Sequence, residues 1–138
     1  MSTSSTPVAE CVANHWTINS LGQSPCEVAG LLAQVCTGVR LILPQLPERN
    51  EYYGPNSTNQ NSCRCSSVLY SLISACAHCQ ERNYVEWSKY KENCTAAMTP
   101  HSGSFPFPLP PGVAVPSWAY QDVEKGDTFD ISAAIISG

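Results

Sequence analysis

Apolar residues recur at the three- and four-residue spacing of a helix face in the first two thirds of the chain. The clearest helix follows Ser24, a predicted N-cap, with Pro25 at the first helical position and Glu27 completing a capping box. Gly38 is the predicted stop of this helix. A weaker stretch predicts an earlier helix over residues 8–18, whose inward face is formed by Val8, Cys11, Val12, Trp16 and Ile18.

Two further helices are predicted between residues 66 and 94. One spans about 66–79, and its apolar side consists of Val68, Leu69, Leu72, Ile73 and Cys76. Asn83 and Glu86 indicate the start of a fourth helix, which would carry Trp87, Tyr90 and Cys94. The stretch 44–62, between the second and third helices, is rich in Pro, Asn, Ser and Tyr. It therefore predicts a long, exposed loop.

Residues 99–138 follow a different pattern. The run Phe105-Pro-Phe-Pro-Leu-Pro-Pro111 excludes a long helix, so the segment is predicted to be extended. Trp118, Tyr120 and Phe129 favour packing of this segment on the helical core, with one or two short strands. The alternative is a stiff, Pro-rich linker that packs on nothing.

Eight cysteines lie in the predicted helical part: Cys11, Cys26, Cys36, Cys63, Cys65, Cys76, Cys79 and Cys94. An even number of unevenly spaced cysteines predicts a disulfide framework that involves all of them. A helix over residues 26–36 holds its two cysteines about 15 Å apart, whereas a disulfide spans only about 7 Å between Cα atoms. Cys26 and Cys36 must therefore pair with other segments. Cys76 and Cys79 share one helix face and are expected to pair outward as well.

A zinc site is the alternative for four of these cysteines, which supply Cys63-x-Cys65 and Cys76-x-x-Cys79. A zinc site would leave the other four cysteines unexplained, and Cys-x-Cys is a poor half of a zinc site. Disulfides are therefore favoured, and no metal is predicted.

The chain is thus predicted to be a small, mostly α, disulfide-rich domain of about four helices with an extended Pro-rich C-terminal segment. Its organisation is a Ser/Thr tail at 1–7, a stapled core at 8–98 and the extended segment at 99–138.

Charge and hydropathy narrow the range of partners. Charged residues make up 13% of the chain, and the net charge is −4. The basic residues are scattered except for Lys89 and Lys91, so nucleic acid is not an expected partner. Because no apolar stretch reaches about 18 residues, no membrane span is predicted within the chain.

Abundant cysteine and low charge are typical of a secreted or cell-wall protein. The start of the chain lacks the basic and apolar regions of a signal peptide, so we expect that one was removed and Met1 added for expression. Asn56-Ser-Thr58 and Asn93-Cys-Thr95 are N-glycosylation acceptors. Asn56 lies in the predicted loop and is the better candidate, whereas Asn93 adjoins a cysteine.

The sequence contains no Gly-x-Ser-x-Gly elbow, His-Glu-x-x-His motif or phosphate loop. Its three histidines, and carboxylate pairs such as Asp127 and Asp130, stand in ordinary polar contexts, so neither a catalytic residue nor a cofactor is predicted. Tyr52 and Tyr53, adjacent in the loop, are the candidate ligand-binding residues, because flat aromatic faces with polar tips suit sugar rings or protein partners. The alternative is that one packs on the core and the other is simply exposed.

Four segments of the sequence look like cysteine-rich ectodomains and secreted proteins of mushroom-forming (basidiomycete) fungi. They are Trp16…Gly22-Gln-Ser-Pro-Cys26, Cys63-Arg-Cys-Ser-Ser-Val-Leu-Tyr70, Cys76-Ala-His-Cys-Gln80 and Val115-Pro-Ser-Trp-Ala-Tyr120. The order of the cysteines also distantly resembles the fungal CFEM domain, an eight-cysteine extracellular helical module that in some members binds haem. The haem-ligating Asp of that family has no counterpart here, since no Asp lies between Cys36 and Cys63, and haem is therefore not expected.

This resemblance implies a fungal surface or secreted protein. We expect a non-catalytic extracellular module that recognises a glycan or an extracellular protein in adhesion or sensing. Proteins of this kind often continue into a Ser/Thr-rich stalk and a membrane anchor, which here would follow Gly138. The alternatives are a freely secreted effector or inhibitor of a foreign protein, a haem or lipid carrier, and a structural protein that self-assembles through its apolar run at residues 133–136.

Overall fold

A computed structural model describes residues 8–137; the predicted tail at residues 1–7 lies outside the described residues. The described part has four α-helices and no β-strand: α1 (Pro25–Thr37), α2 (Ser67–Cys79), α3 (Trp87–Tyr90) and α4 (Ile131–Ser137). Three short 3-10 turns span His15–Thr17, Ala96–Met98 and Ser117–Tyr120. The prediction of a small, mostly helical, disulfide-rich domain is confirmed. Between residues 8 and 137, no helix has the length and apolar character needed to cross a bilayer.

Helix α2 occupies the centre of the fold. All of its residues are buried except His78, including Ser67, Ser71 and Ser74. Its N-cap is the buried Ser66, whose hydroxyl accepts a hydrogen bond from the Leu69 amide at 3.2 Å. A helix that is buried on all sides needs neighbours on every face. Helices α1 and α3 and the 3-10 turns at 15–17 and 117–120 supply them.

Helix α1 begins and ends where the sequence predicts. The Ser24 hydroxyl accepts from the Glu27 amide at 3.1 Å, and the Glu27 carboxylate accepts from the Ser24 amide at 3.1 Å. These two bonds form the predicted capping box, with Pro25 at the first helical position. Gly38 ends the helix with a left-handed φ of 77°, a conformation that favours glycine.

All eight cysteines are paired: Cys11–Cys79, Cys26–Cys76, Cys36–Cys63 and Cys65–Cys94. The two cysteines of α1 pair with other segments, as the length of a helix requires. Those that would form the alternative zinc site belong to four separate bridges. Two bridges converge on the last turn of α2, which therefore holds both α1 and the N-terminal segment covalently.

The prediction of a helix over residues 8–18 is wrong. The segment is extended beside the end of α2, where the amides of Val12 and Ala13 donate to the Cys79 carbonyl at 2.8 and 3.0 Å. Asn14 has a left-handed φ of 57°, and only the turn at 15–17 is helical. Val12, predicted to face inward, is 60% exposed. Hydrogen bonds to Cys79 and the Cys11–Cys79 disulfide hold this segment at the end of α2, and the backbone hydrogen bonds of a local helix do not form.

The predicted fourth helix is a single turn. Helix α3 ends at Tyr90, and Cys94 lies beyond it, where it pairs with Cys65. The helix starts later than Asn83 and Glu86 predicted: its N-cap is Glu86, which makes no side-chain capping hydrogen bond. A helix this short is not stable on its own; it is held because Trp87 and Tyr90 are buried.

The proline run forms no helix or strand, but it bends at residues 106–107 and turns at 111–112 instead of staying extended, and the chain after it packs on the core. Trp118, Val123 and Phe129 are buried, whereas Tyr120, which was also predicted to pack, is 37% exposed. The predicted short strands do not form in the described residues, and residues 131–137, expected to be extended, are helix α4. Asp130 caps this helix, since its carboxylate accepts from the Ala133 amide at 3.0 Å.

Phe129→Ala is expected to lower the free energy of unfolding by about 3–5 kcal/mol, because it empties a buried site. The ring is 1% exposed and lies 5.6 Å from Trp118 and 5.9 Å from Tyr84, between centroids. Guanidinium unfolding of the oxidised protein measures the change. The matched control is Phe107→Ala, since Phe107 is 43% exposed. Equal stabilities for the two variants would show that the C-terminal segment does not belong to the cooperative core.

Candidate binding surface

The two tyrosines proposed as ligand-binding residues have different environments. Tyr52 is half-buried, its hydroxyl donates to the Pro44 carbonyl, and it accepts from the Gln80 side-chain amide at 2.9 Å. Burial raises the pKa of the Tyr52 phenol, and the Gln80 hydrogen bond partly offsets this shift. Tyr53 is 67% exposed. Tyr52 therefore anchors the loop to the end of α2, and Tyr53 presents its ring to solvent.

Gly54 allows the loop to lie directly on α3. A Cβ atom at this position would overlap the backbone carbonyl oxygen of Tyr90. Tyr90 is itself fixed, because its hydroxyl donates to the Arg64 carbonyl at 2.6 Å and its ring lies 5.2 Å from that of Tyr70. Burial raises the pKa of the Tyr90 phenol well above its usual value. Tyr53 thus projects from a backbone held against a rigid aromatic cluster.

Tyr53 forms one wall of a shallow recess, which we call the Tyr53 cleft. Its volume is about 210 Å³, and its lining consists of Tyr53, Gly54, Pro55, Lys89, Tyr90, Glu92 and Asn93. Lys89 and Glu92 form an exposed ion pair at 3.3 Å. The cleft therefore combines an exposed aromatic ring with an ammonium group, a carboxylate and an amide. Such a set can stack on a sugar ring and hydrogen-bond to its hydroxyl groups.

The sequence named both Tyr52 and Tyr53 as candidates; Tyr52 packs on the core and Tyr53 is exposed, as the alternative predicted, and only Tyr53 lines the cleft. The opposite wall of the cleft was not predicted. Lys89 and Glu92 are ordinary surface residues in the sequence, and no spacing connects them with the loop at 44–62. Their proximity depends on the close contact at Gly54, and the Cys65–Cys94 bridge fixes the chain after α3. A glycine beside two tyrosines was the one available signal, because glycine permits close approach of two backbones.

Both candidate glycosylation residues are exposed, and they differ in their surroundings. The Asn56 side-chain oxygen Oδ1 accepts from the backbone amides of Thr58 and Asn59 at 2.9 and 2.8 Å, which closes a turn in the loop. Asn93 lines the Tyr53 cleft itself. A glycan on Asn93 would stand at the edge of this cleft, whereas one on Asn56 would extend from the neighbouring turn.

A second recess, the Trp16 groove, lies between the N-terminal segment and α4. Its volume is about 330 Å³, and Trp16, Asn19, Trp118 and Ile135 are among its lining residues. The Trp16 ring is packed edge-on against Trp118 at 5.7 Å and tilted against His78 at 5.9 Å, between centroids. Burial lowers the pKa of the His78 imidazole. These contacts account for Trp16 as a packing residue that secures the C-terminal segment.

The carboxylates of Asp127 and Asp130 have structural partners. Asp127 accepts from the Ser88 amide at 2.8 Å and from the Ser88 hydroxyl at 2.6 Å, at the start of α3. Asp130 caps α4 through Ala133. Each carboxylate therefore stabilises the start of a helix, which is a structural role.

A scan of protein-family models found no match to this chain, and comparisons with curated proteins and solved structures also found none. The site is therefore interpreted from the residues of this chain alone.

Gly54→Ala is expected to lower the free energy of unfolding by about 1–3 kcal/mol, because the added methyl group overlaps the Tyr90 carbonyl oxygen. It should also displace the Tyr53 loop, which chemical shifts of residues 52–56 will detect by NMR. Gly126→Ala is the matched control, since a Cβ there would lie 4.0 Å from the Thr128 methyl group, at ordinary van der Waals contact. Wild-type stability and shifts in Gly54→Ala would contradict the close contact described here.

Proposed function

We propose that this chain is a non-catalytic recognition module that acts outside the cell, on a fungal surface, and binds carbohydrate in the Tyr53 cleft. The exposed ring of Tyr53, on a firmly anchored loop, is the observation that carries the proposal. Four disulfides favour an oxidising, extracellular environment. The fungal surface is proposed from the resemblance of the sequence to basidiomycete ectodomains.

The chemistry of the cleft favours a neutral or weakly charged sugar. The apolar face of a pyranose would stack on the Tyr53 ring, which has a rigid, amphipathic surface. Its hydroxyl groups would pair with the Asn93 amide and with the Lys89–Glu92 ion pair, whose two charges nearly balance at 3.3 Å. A strongly anionic ligand would meet the Glu92 carboxylate as well as Lys89.

Pre-organisation supports binding at this position rather than elsewhere. Tyr52 and Gly54, on either side of Tyr53, are held by the Gln80 hydrogen bond and by the backbone of α3. The loop therefore loses little conformational entropy when a ligand binds. The Trp16 ring, in contrast, is packed between Trp118 and His78. Less of its face is available for stacking.

Tyr53→Ala is expected to weaken carbohydrate binding at least tenfold, or by about 1.4 kcal/mol, because it removes the stacking surface and leaves the fold unchanged. The ligand is first selected on an array of cell-wall oligosaccharides that includes β-glucans, mannans and chitin fragments. Its dissociation constant is then measured by titration calorimetry.

Phe107→Ala is the control for loss of an exposed aromatic ring, since Phe107 is 43% exposed and does not line the cleft. It should bind the selected oligosaccharide as the wild-type protein does. Equal weakening in both variants would place the binding site elsewhere. An array on which the glycosylated and the deglycosylated protein bind no oligosaccharide would refute the proposed function.

A further inference from the structure

Two of the four disulfides lie against each other at the last turn of α2. The sulfur atoms of Cys11, Cys26 and Cys79 all lie within 4.8 Å of one another. Cys11 and Cys79 form one bridge, and Cys26 belongs to the other, with Cys76. Each sulfur of the first bridge is therefore close to a sulfur of the second. Residues 8–137 contain one such group of three.

Solvent reaches this pair of bridges from one side. Cys26, Cys76 and Cys79 are 0% exposed, whereas Cys11 is partly exposed. Cys11 lies in the extended N-terminal segment, next to the 60%-exposed Val12. An external thiol therefore meets the sulfur of Cys11 first, and attack at this sulfur releases Cys79 as the leaving thiolate.

We propose that these two adjacent disulfides form a thiol–disulfide relay. When a low-molecular-weight thiol attacks Cys11, two exchange steps release the buried Cys76 from its disulfide. In the first step the thiolate attacks the Cys11 sulfur, a mixed disulfide forms, and the Cys11–Cys79 bond breaks. In the second, the Cys79 thiolate attacks the Cys26 sulfur, a Cys26–Cys79 bond forms, and Cys76 leaves as a thiolate. Each step forms one S–S bond and breaks one; the attacking thiol loses its proton to solvent, and the negative charge passes through Cys79 to Cys76.

The surroundings of Cys76 can receive the released thiolate. Its sulfur lies 3.5 Å from the side-chain amide nitrogen of Gln80 and 3.6 Å from the hydroxyl oxygen of Tyr52. The Gln80 amide can donate to the thiolate, which favours its charged form, whereas the Tyr52 hydroxyl already donates to the Pro44 carbonyl. Attack at the N-terminal segment would thus produce a reactive thiol at Cys76, beside the Gln80 and Tyr52 side chains that hold the Tyr52–Tyr53 loop.

The variant Cys11→Ala tests the second step directly, because it leaves Cys79 without its partner. Because Cys65, Cys76 and Cys79 are buried, the purified protein is incubated at pH 8, acidified to stop exchange, denatured, alkylated and mapped by peptide mass spectrometry. The expected result is that more than about a tenth of the label lies on Cys76, together with a Cys26–Cys79 linked peptide. Cys94→Ala is the matched control and should carry its label on Cys65 alone. Label on Cys79 alone in Cys11→Ala would overturn the proposal.

A second measurement uses the wild-type protein and does not depend on the folding of a variant. Substoichiometric glutathione is added at pH 8, the reaction is stopped with acid, and free thiols are alkylated and mapped. Cys36 and Cys94 are also partly exposed, so glutathione can react at their bridges as well. Molecules that carry glutathione on Cys11 are expected to carry the alkylated thiol on Cys76. Absence of glutathione from Cys11, or a label that stays on Cys79 in the molecules that carry it, would refute the relay. Neither measurement involves a carbohydrate, so the relay and the proposed function stand or fall separately.

Discussion

The burial of α2 on every side is the constraint on which the rest of the structure depends. A helix without a solvent-facing side must be covered by several elements, and most of those available here are short. Helix α3 and the 3-10 turns that contact α2 have too few residues to be stable alone. Their positions are set by what they bury against α2. Two disulfides at the last turn of α2 also attach the N-terminal segment and α1 to it covalently.

Local sequence signals predicted only those elements whose ends are determined locally. The capping box at Ser24 predicted α1, and apolar spacing predicted α2. In the structure both N-caps, Ser24 and Ser66, bond to the first turn of their own helix. Residues 8–18 have helical spacing, yet their amides bond to Cys79 and Leu43 instead. Helix α4 has a capping residue in Asp130, but the upstream prolines predicted extended chain. Long-range contacts decided both cases, and no local pattern encodes them.

The sequence predicted one side of the candidate site and not the other. Two adjacent tyrosines in a polar loop indicate an exposed aromatic face, and Tyr53 provides one. The sequence does not show that Lys89 and Asn93 face it, because this depends on how closely the loop approaches α3 at Gly54. Helix geometry likewise excluded a Cys26–Cys36 bridge, but the actual pairing required the positions of all four partner segments. A chemical role could thus be assigned to single residues from the sequence, but the sequence did not show which of them lie close together.

The Cys11–Cys79 bridge also determines how the protein would respond to mechanical force. Tension applied at the two ends of the described chain passes through this bond, so the backbone between the two cysteines is bypassed. Most of the core, and the loop that carries Tyr53, cannot be stretched while the bond is intact. The chain after Cys94 has no such shortcut and can extend by roughly 3.5 Å per residue once its packing yields. Under tension between its two ends, the chain would therefore lengthen after Cys94 while the Tyr53 loop stays folded.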